Sequence, residues 1–271
     1  MAQNERKGPR PNFPRGKGPK TYRPRTPDER RSSAIWIYGL HPALAALANP
    51  RRKIRRIVVT PNALIRLTEA GAILPMPAEE TGPRQLDHIL GGEAVHQGIA
   101  LEVDPLEPMK IANLAGTRLV LVLDQITDPH NVGAIMRSAL AFGAGAVITT
   151  RRHAPAETGV LAKAASGALD KLAVIEVQNL ARALEELREI GFTRIGLDSE
   201  AETEIEGVIS GGKIALVVGA EGKGLRQLTR DTCDVVARLS MPGPLTSLNV
   251  SNAAVLGLYL AHRHLDGEAT T

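Results

Sequence analysis

Cysteine is almost absent. Cys233 stands alone in 271 residues, which rules out an internal disulfide framework and a cysteine-based zinc site and fits a reducing cytoplasm. No run of about 18 apolar residues occurs, so no helix is expected to cross a membrane. The charges of the N-terminus are not followed by an apolar stretch, which argues against a secretory signal. What is present suits a folded chain: 43% apolar residues against 23% charged ones exclude wholesale disorder, collagen and coiled coil. The length fits one large domain or two smaller ones.

The net charge of +4 is unevenly placed. Residues 1–33 carry ten basic residues against three acidic ones, a local charge of +7 that leaves the remainder at −3. Six prolines and three glycines in the same stretch remove any helix or strand pattern, and little apolar surface is available to bury. This segment reads as a disordered basic arm, reaching on the order of 30 Å as a flexible coil. It is either a solubilising tail or a source of sequence-independent phosphate attraction through counterion release.

Order is expected from Ala34. A short strand to Gly39, a helix over 41–48, a strand from Ile54 to Thr60, a helix from Asn62 to Ala70 and a closing strand from His96 to Val103 make a small α/β unit over 34–104. A linker over 105–115 contains Pro105 and Pro108. The second unit, 116–271, opens with the apolar run Leu119 to Leu123, of the kind a buried parallel strand shows. Strands are expected over 146–150, 173–177, 194–198, 213–219 and 235–241. Helices are expected over 132–142, with Gly143 just past the end, and over 180–190. This alternation argues for a parallel sheet covered on both faces.

Three loops follow apolar strands, where open α/β sheets place their ligands. The first runs from Asp124 to Gly133 and leads into the helix that carries Arg137. The second is Val218 to Leu225, with glycines at 219, 222 and 224. The third is Leu239 to Asn252, running into a final helix. Singly, each has a plain structural reading. The glycine spacing matches neither G-x-G-x-x-G nor the phosphate loop, and a capping turn would account for it. Asn131 is a candidate helix cap, and Ser247, Asn249 and Ser251 a candidate cap cluster. His130 has no metal-ligand partner at helical spacing, and no metal is expected.

Together, Asn131 with Arg137, Gly219-Ala220-Glu221-Gly222 with Gly224-Leu225, and Ser247-Leu248-Asn249-Val250-Ser251 resemble the three ordered motifs of the SpoU (TrmH, SPOUT) family of RNA 2′-O-ribose methyltransferases. The resemblance covers 119–260. Tyr38-Gly39-Leu40-His41-Pro42-Ala43-Leu44 and His96-Gln97-Gly98-Ile99-Ala100 are similar to the ribosomal-protein-like substrate-binding domain of the branch that methylates a guanosine of 23S rRNA. The resemblance implies an α/β chain whose C-terminal parallel-sheet domain holds a deep trefoil knot, with S-adenosylmethionine bent inside it, and it implies a homodimer. By motif position, the cofactor's adenine and ribose would be held largely by backbone at Gly219, Leu239 and Leu248. Ser240 stands where the family pattern usually carries proline.

The family's functional arginine falls on Arg137. A guanidinium pKa above about 12 makes a poor base, so the expected role is to bind the target's phosphate and orient or acidify the hydroxyl, with that phosphate accepting the proton. Asn131 and Asn249 would orient Arg137 and the ribose, Glu221 would buttress the site, and Ser247 is a further site residue. A tRNA ribose methyltransferase is the alternative enzyme. A non-catalytic RNA-binding assembly factor is the alternative of another class.

Overall fold

The computed structural model describes residues 34–114, 116–244 and 247–269. The basic arm expected over 1–33 lies outside them.

The N-terminal lobe is built from β1 (Ile35–Tyr38), α1 (Leu40–Ala48), β2 (Ile54–Val59), α2 (Pro61–Glu69), β3 (Glu79–Glu80), α3 (Pro83–Leu90) and β4 (Ile99–Val103). Its sheet runs β1-β4-β2-β3, with β4 antiparallel to both β1 and β2. The alternation of β2 and β4 sends Ile57, Val59, Ile99 and Leu101 into the main core with Ala43, Ala46, Ala63 and Leu67. Val58 and Ala100 point the other way, under Leu86 and Ile89 of α3. The sequence pattern did not suggest α3, because its apolar positions within a polar stretch make a helical face only once a sheet lies beneath them.

The C-terminal lobe comprises β5 (Leu119–Asp124), α4 (Pro129–Ala141), β6 (Ala146–Thr150), α5 (Gly159–Ala165), β7 (Ala173–Val177), α6 (Leu180–Glu189), β8 (Thr193–Leu197), α7 (Ile205–Val208), β9 (Ile214–Gly219), α8 (Gln227–Thr232), β10 (Val235–Ala237) and α9 (Val250–Ala269). Its six strands are parallel in the order β10-β8-β9-β5-β6-β7. Every residue of β5 is buried, as its unbroken apolar run requires. Two corrections to the sequence reading follow. The last strand is confined to Val235–Ala237, and α4 begins three residues earlier than expected because Asp128, not Asn131, caps it: Asp128 Oδ2 accepts from the Asn131 N–H at 3.0 Å.

From β5 the chain winds outward through β6 and β7, then crosses to β8 and returns through β9, so β5 and β9 meet where the direction of winding reverses. Such a switch point opens a crevice at the carboxyl ends of the strands. Asp124 and Gly219, the last residues of β5 and β9, stand opposite each other there.

The two lobes share one apolar core: Ile37, Ala43 and Ala46 belong to the same buried cluster as Leu161, Ala165 and Leu169. α5 packs against β1 so closely that a Cβ on Gly159 would lie 2.5 Å from the Trp36 carbonyl oxygen. Polar groups seal the seam. Arg52, buried, donates to Asp170 at 2.8 Å and to Glu157, and Asn49 donates to the same Asp170 oxygen at 3.0 Å. Gln97 Oε1 accepts both from Leu40 N–H, at 3.1 Å, and from Lys163 Nζ, at 3.0 Å. The stretch over 105–114 also docks, with Met109 N–H bonded to the Val174 carbonyl and Ile111 and Leu114 buried.

Candidate active site

The crevice at the switch point holds a cleft of about 320 Å³. Its floor is formed by the ends of β8 and β9, and its walls by the loops that follow β8, β9 and β10. Gly219, Leu239 and Leu248 all line it, as do Glu221 and Ser247. Its geometry depends on Gly219. A Cβ there would lie 2.2 Å from the main-chain carbon and oxygen of Gly224, so only glycine lets the 220–224 turn fold back over the strand end. Ala220 and Gly224 close that turn with a bridge.

At the rim, Asn249 connects the three loops. Its Oδ1 accepts from the N–H and the hydroxyl of Ser251, at 2.9 and 2.6 Å, which caps the start of α9. Its Nδ2 thereby faces outward and donates to Asn131 Oδ1 at 3.3 Å and Glu221 Oε2 at 3.4 Å. The helix-cap reading of this residue holds at one end of its amide, while the other end meets two of the residues expected at the site. Asn131, in the first turn of α4, is held by the Asp128 cap through its N–H. Both bonds are long and the one to Glu221 is exposed, which leaves the groups ready to exchange partners for a ligand.

Arg137 is not drawn into this cluster. Six residues beyond Asn131, it is exposed and makes no hydrogen bond or ion pair among the described residues. Among the described residues, the expectation that Asn131 and Asn249 orient Arg137 has no counterpart in a hydrogen bond.

Two features escaped the sequence reading. Asp198, Ser199 and Glu200 form a wall of the cleft, with Asp198 Oδ2 accepting from Arg230 Nη1 at 2.6 Å. They follow a parallel strand, which was the available signal. Gln125, just after β5, has φ of 63°, a left-handed conformation uncommon outside glycine and often found at functional loops. Cys233 lies apart from the cleft; burial pushes its thiol up to about 12, and it donates to the Thr229 carbonyl at 3.2 Å. No cluster of three His, Cys, Asp or Glu able to hold a metal ion occurs among the described residues, and no helix there is long and apolar enough to cross a membrane.

Known proteins share this architecture. Over 239 residues the chain is 37% identical to the protein named 23S rRNA (guanosine-2'-O-)-methyltransferase RlmB of Xylella fastidiosa (strain 9a5c), covering 84% of this chain and 96% of the relative. The protein of the same name from Pseudomonas putida is 38% identical over 238 residues, with 84% and 95% covered. The fold matches that of the SpoU methyltransferase AviRb from Streptomyces viridochromogenes, solved in complex with AdoMet, with a TM-score of 0.72 at 22% identity over 87% of this chain and 92% of that one. Residues 36–109 match the family described as RNA 2'-O ribose methyltransferase substrate binding. Residues 118–259 match the model of the SpoU rRNA Methylase family, and the chain belongs to that family.

Proposed function

We propose that this protein is an RNA 2′-O-ribose methyltransferase that transfers a methyl group from S-adenosylmethionine to a guanosine of 23S rRNA. The observation that carries the reading is the position of Asn249, bonded to Asn131 and Glu221 at the rim of a cleft lined by Gly219, Leu239 and Leu248. The names of the relatives at 37–38% identity support the rRNA guanosine as target. We divide the chain into an arm over 1–33, a substrate-binding domain over 34–104, a linker over 105–115 and a methyltransferase domain over 116–271.

The cleft fits the cofactor. Its volume falls within the roughly 300–1,000 Å³ of small-molecule sites, and the missing Cβ at Gly219 brings main-chain groups to its surface. Gly219, Leu239 and Leu248 hold the adenine and ribose through their backbones. When bound, the cofactor supplies an electrophilic methyl group. The protein's contribution is to place the ribose hydroxyl in line with that methyl, and alignment of this kind contributes several kcal/mol, up to about 7–11. Asn249 Nδ2 and Asn131 hold the ribose, Glu221 fixes Asn249, and Ser247 lies beside them. Arg137, exposed and unpaired among the described residues, is free to bind the target's phosphate, which takes the hydroxyl proton.

The family implies a trefoil knot. The order of elements supports it: β10 lies at the sheet edge beyond β8, while α9, next in sequence, packs on β9 and α4. A cytoplasmic homodimer completes the reading, supported by Leu256 and Tyr259, which leave apolar surface exposed on α9. Incubating the protein with radiolabelled S-adenosylmethionine and unmodified 23S rRNA or tRNA tests the proposal. Label at a guanosine ribose of 23S rRNA is expected. Label on tRNA alone overturns the choice of target, and no label on either overturns the enzymatic reading.

A further inference from the structure

The carboxyl ends of β5 and β6 carry a group of basic side chains that the reaction above does not use. Asp124, the last residue of β5, is fully buried and spends both carboxylate oxygens on Arg226. Oδ2 accepts from the Arg226 N–H at 3.0 Å and Oδ1 from Nε at 2.7 Å. One edge of the guanidinium is thus fixed. The opposite edge, Nη1 and Nη2, has no hydrogen-bond partner among the described residues, and the side chain is 43% exposed.

The turn after β6 adjoins it. His153 N–H donates to the Thr150 carbonyl at 3.0 Å, and Thr150 Oγ1 lies 2.9 Å from His153 Nδ1, which fixes the ring. β5 and β6 are hydrogen-bonded neighbours with Leu123 opposite Thr149, so this turn stands beside Asp124 and the arginine anchored on it. Burial holds the His153 imidazole below its usual range, with the positive charges of Arg226 and Arg152 adding to the effect and Asp124 opposing it. Arg151 and Arg152, in the same turn, are exposed and make no side-chain bond among the described residues.

We propose that Arg226, Arg152 and Arg151 form a binding site for the backbone phosphates of the RNA substrate, on the β5–β6 side of the cleft. The division of labour follows from their partners. The Asp124 carboxylate offsets the charge of Arg226, so this residue contributes direction: a planar donor pair held ready for two phosphate oxygens, with little side-chain entropy left to lose. Arg151 and Arg152 have no such counter-ions among the described residues and supply attraction at a distance. Asp124 stands opposite Gly219, the residue that shapes the cleft, so a phosphate on Arg226 belongs to a nucleotide near the one being methylated. The site therefore helps to set which ribose reaches the cleft, and none of its three arginines lines that cleft.

This inference rests on the RNA-methylation reading, and the experiment separates the two. The full-length protein and its R152Q, R151Q, R226Q and R226K variants are compared in binding and methylation of a 23S rRNA fragment across salt concentrations, with binding of S-adenosylmethionine measured alongside. R182Q, at an exposed arginine on α6, is the control for charge alone. R152Q and R151Q should each raise KM about tenfold and lower the slope of log affinity against log salt by about 0.7–0.9, with cofactor affinity unchanged. R226K keeps the charge but cannot grip Asp124 and a phosphate together, so it should lose as much as R226Q. Because R226Q and R226K leave Asp124 buried without its partner, the exposed R152Q and R151Q decide the matter if those two fold poorly. Methylation by the wild type with unchanged KM and salt slope in R152Q and R151Q overturns the phosphate site alone, as does an equal effect of R182Q. No binding or methylation by the wild type overturns the parent reading with it.

Discussion

Asn249 and Asn131, 118 positions apart in the chain, meet side chain to side chain at 3.3 Å, joining the start of the last helix to the first turn of α4. The contact ties together segments that follow β5 and β10, strands on opposite sides of the sheet's reversal point. It also makes Asn249 a residue with two separable duties, since Oδ1 caps α9 while Nδ2 reaches Asn131 and Glu221.

Asn249→Asp separates those duties. The aspartate keeps an oxygen for the Ser251 N–H and turns the other toward Glu221, an exposed like-charge contact that costs only a few tenths of a kcal/mol, whereas Asn249→Ala should lose about 1 kcal/mol with the cap. Both should lower kcat by about 10²-fold, because the outward donor is gone and the hydroxyl is no longer held in line. Steady-state kinetics beside thermal unfolding checks this; an Asp variant with full kcat would remove Nδ2 from the reaction.

Arg137→Ala should abolish methyl transfer and leave binding of S-adenosylmethionine measurable by calorimetry, since Arg137 lines no part of the cleft. Retained turnover would end its assignment.

Gly219→Ala should act the other way, on the cofactor. The added methyl has no room against Gly224, and the neighbour that must yield is main chain. The 220–224 turn is displaced, and affinity for S-adenosylmethionine should fall by at least tenfold, read by isothermal titration. Wild-type affinity would show that the turn relaxes without opening the cleft.

Arg52→Leu tests the seam between the lobes. It leaves Asp170, 2% exposed, and Glu157 without their counter-ion. Loss of one partner from a buried ionic cluster costs about 3–5 kcal/mol. Because both lobes share a core, urea should unfold them in one transition shifted to lower denaturant. An unshifted midpoint would mean that water reaches and solvates the two acids.

Cys233 should be inert. With its thiol pushed up to about 12 by burial, almost none is thiolate at pH 8, and the thiolate is the reactive form. Iodoacetamide should label the native protein far more slowly than protein unfolded in urea. Equal rates would show that the Thr229 contact and the burial do not persist in solution.

Local pattern was enough for much of this protein. The apolar run Leu119 to Leu123 has no polar face to show to water, so it can only be a strand covered on both sides, and it is. The three loops were legible because they follow such strands and carry residues in a recognisable order. α5 was not legible: Gly159–Ala165 is short and alanine-rich, with no contrast between its faces, and it becomes a helix by packing against β1. The seam made by Arg52, Asp170 and Gln97 was equally hidden, whereas the wall formed by Asp198 to Glu200 had a signal in the strand that precedes it. Sequence spacing fixes which residues share a strand or a helix face, because those periods are local. It does not encode the order of strands in a sheet, and the meeting of Asn131, Glu221 and Asn249, like the anchoring of Arg226 on Asp124, follows from that order alone.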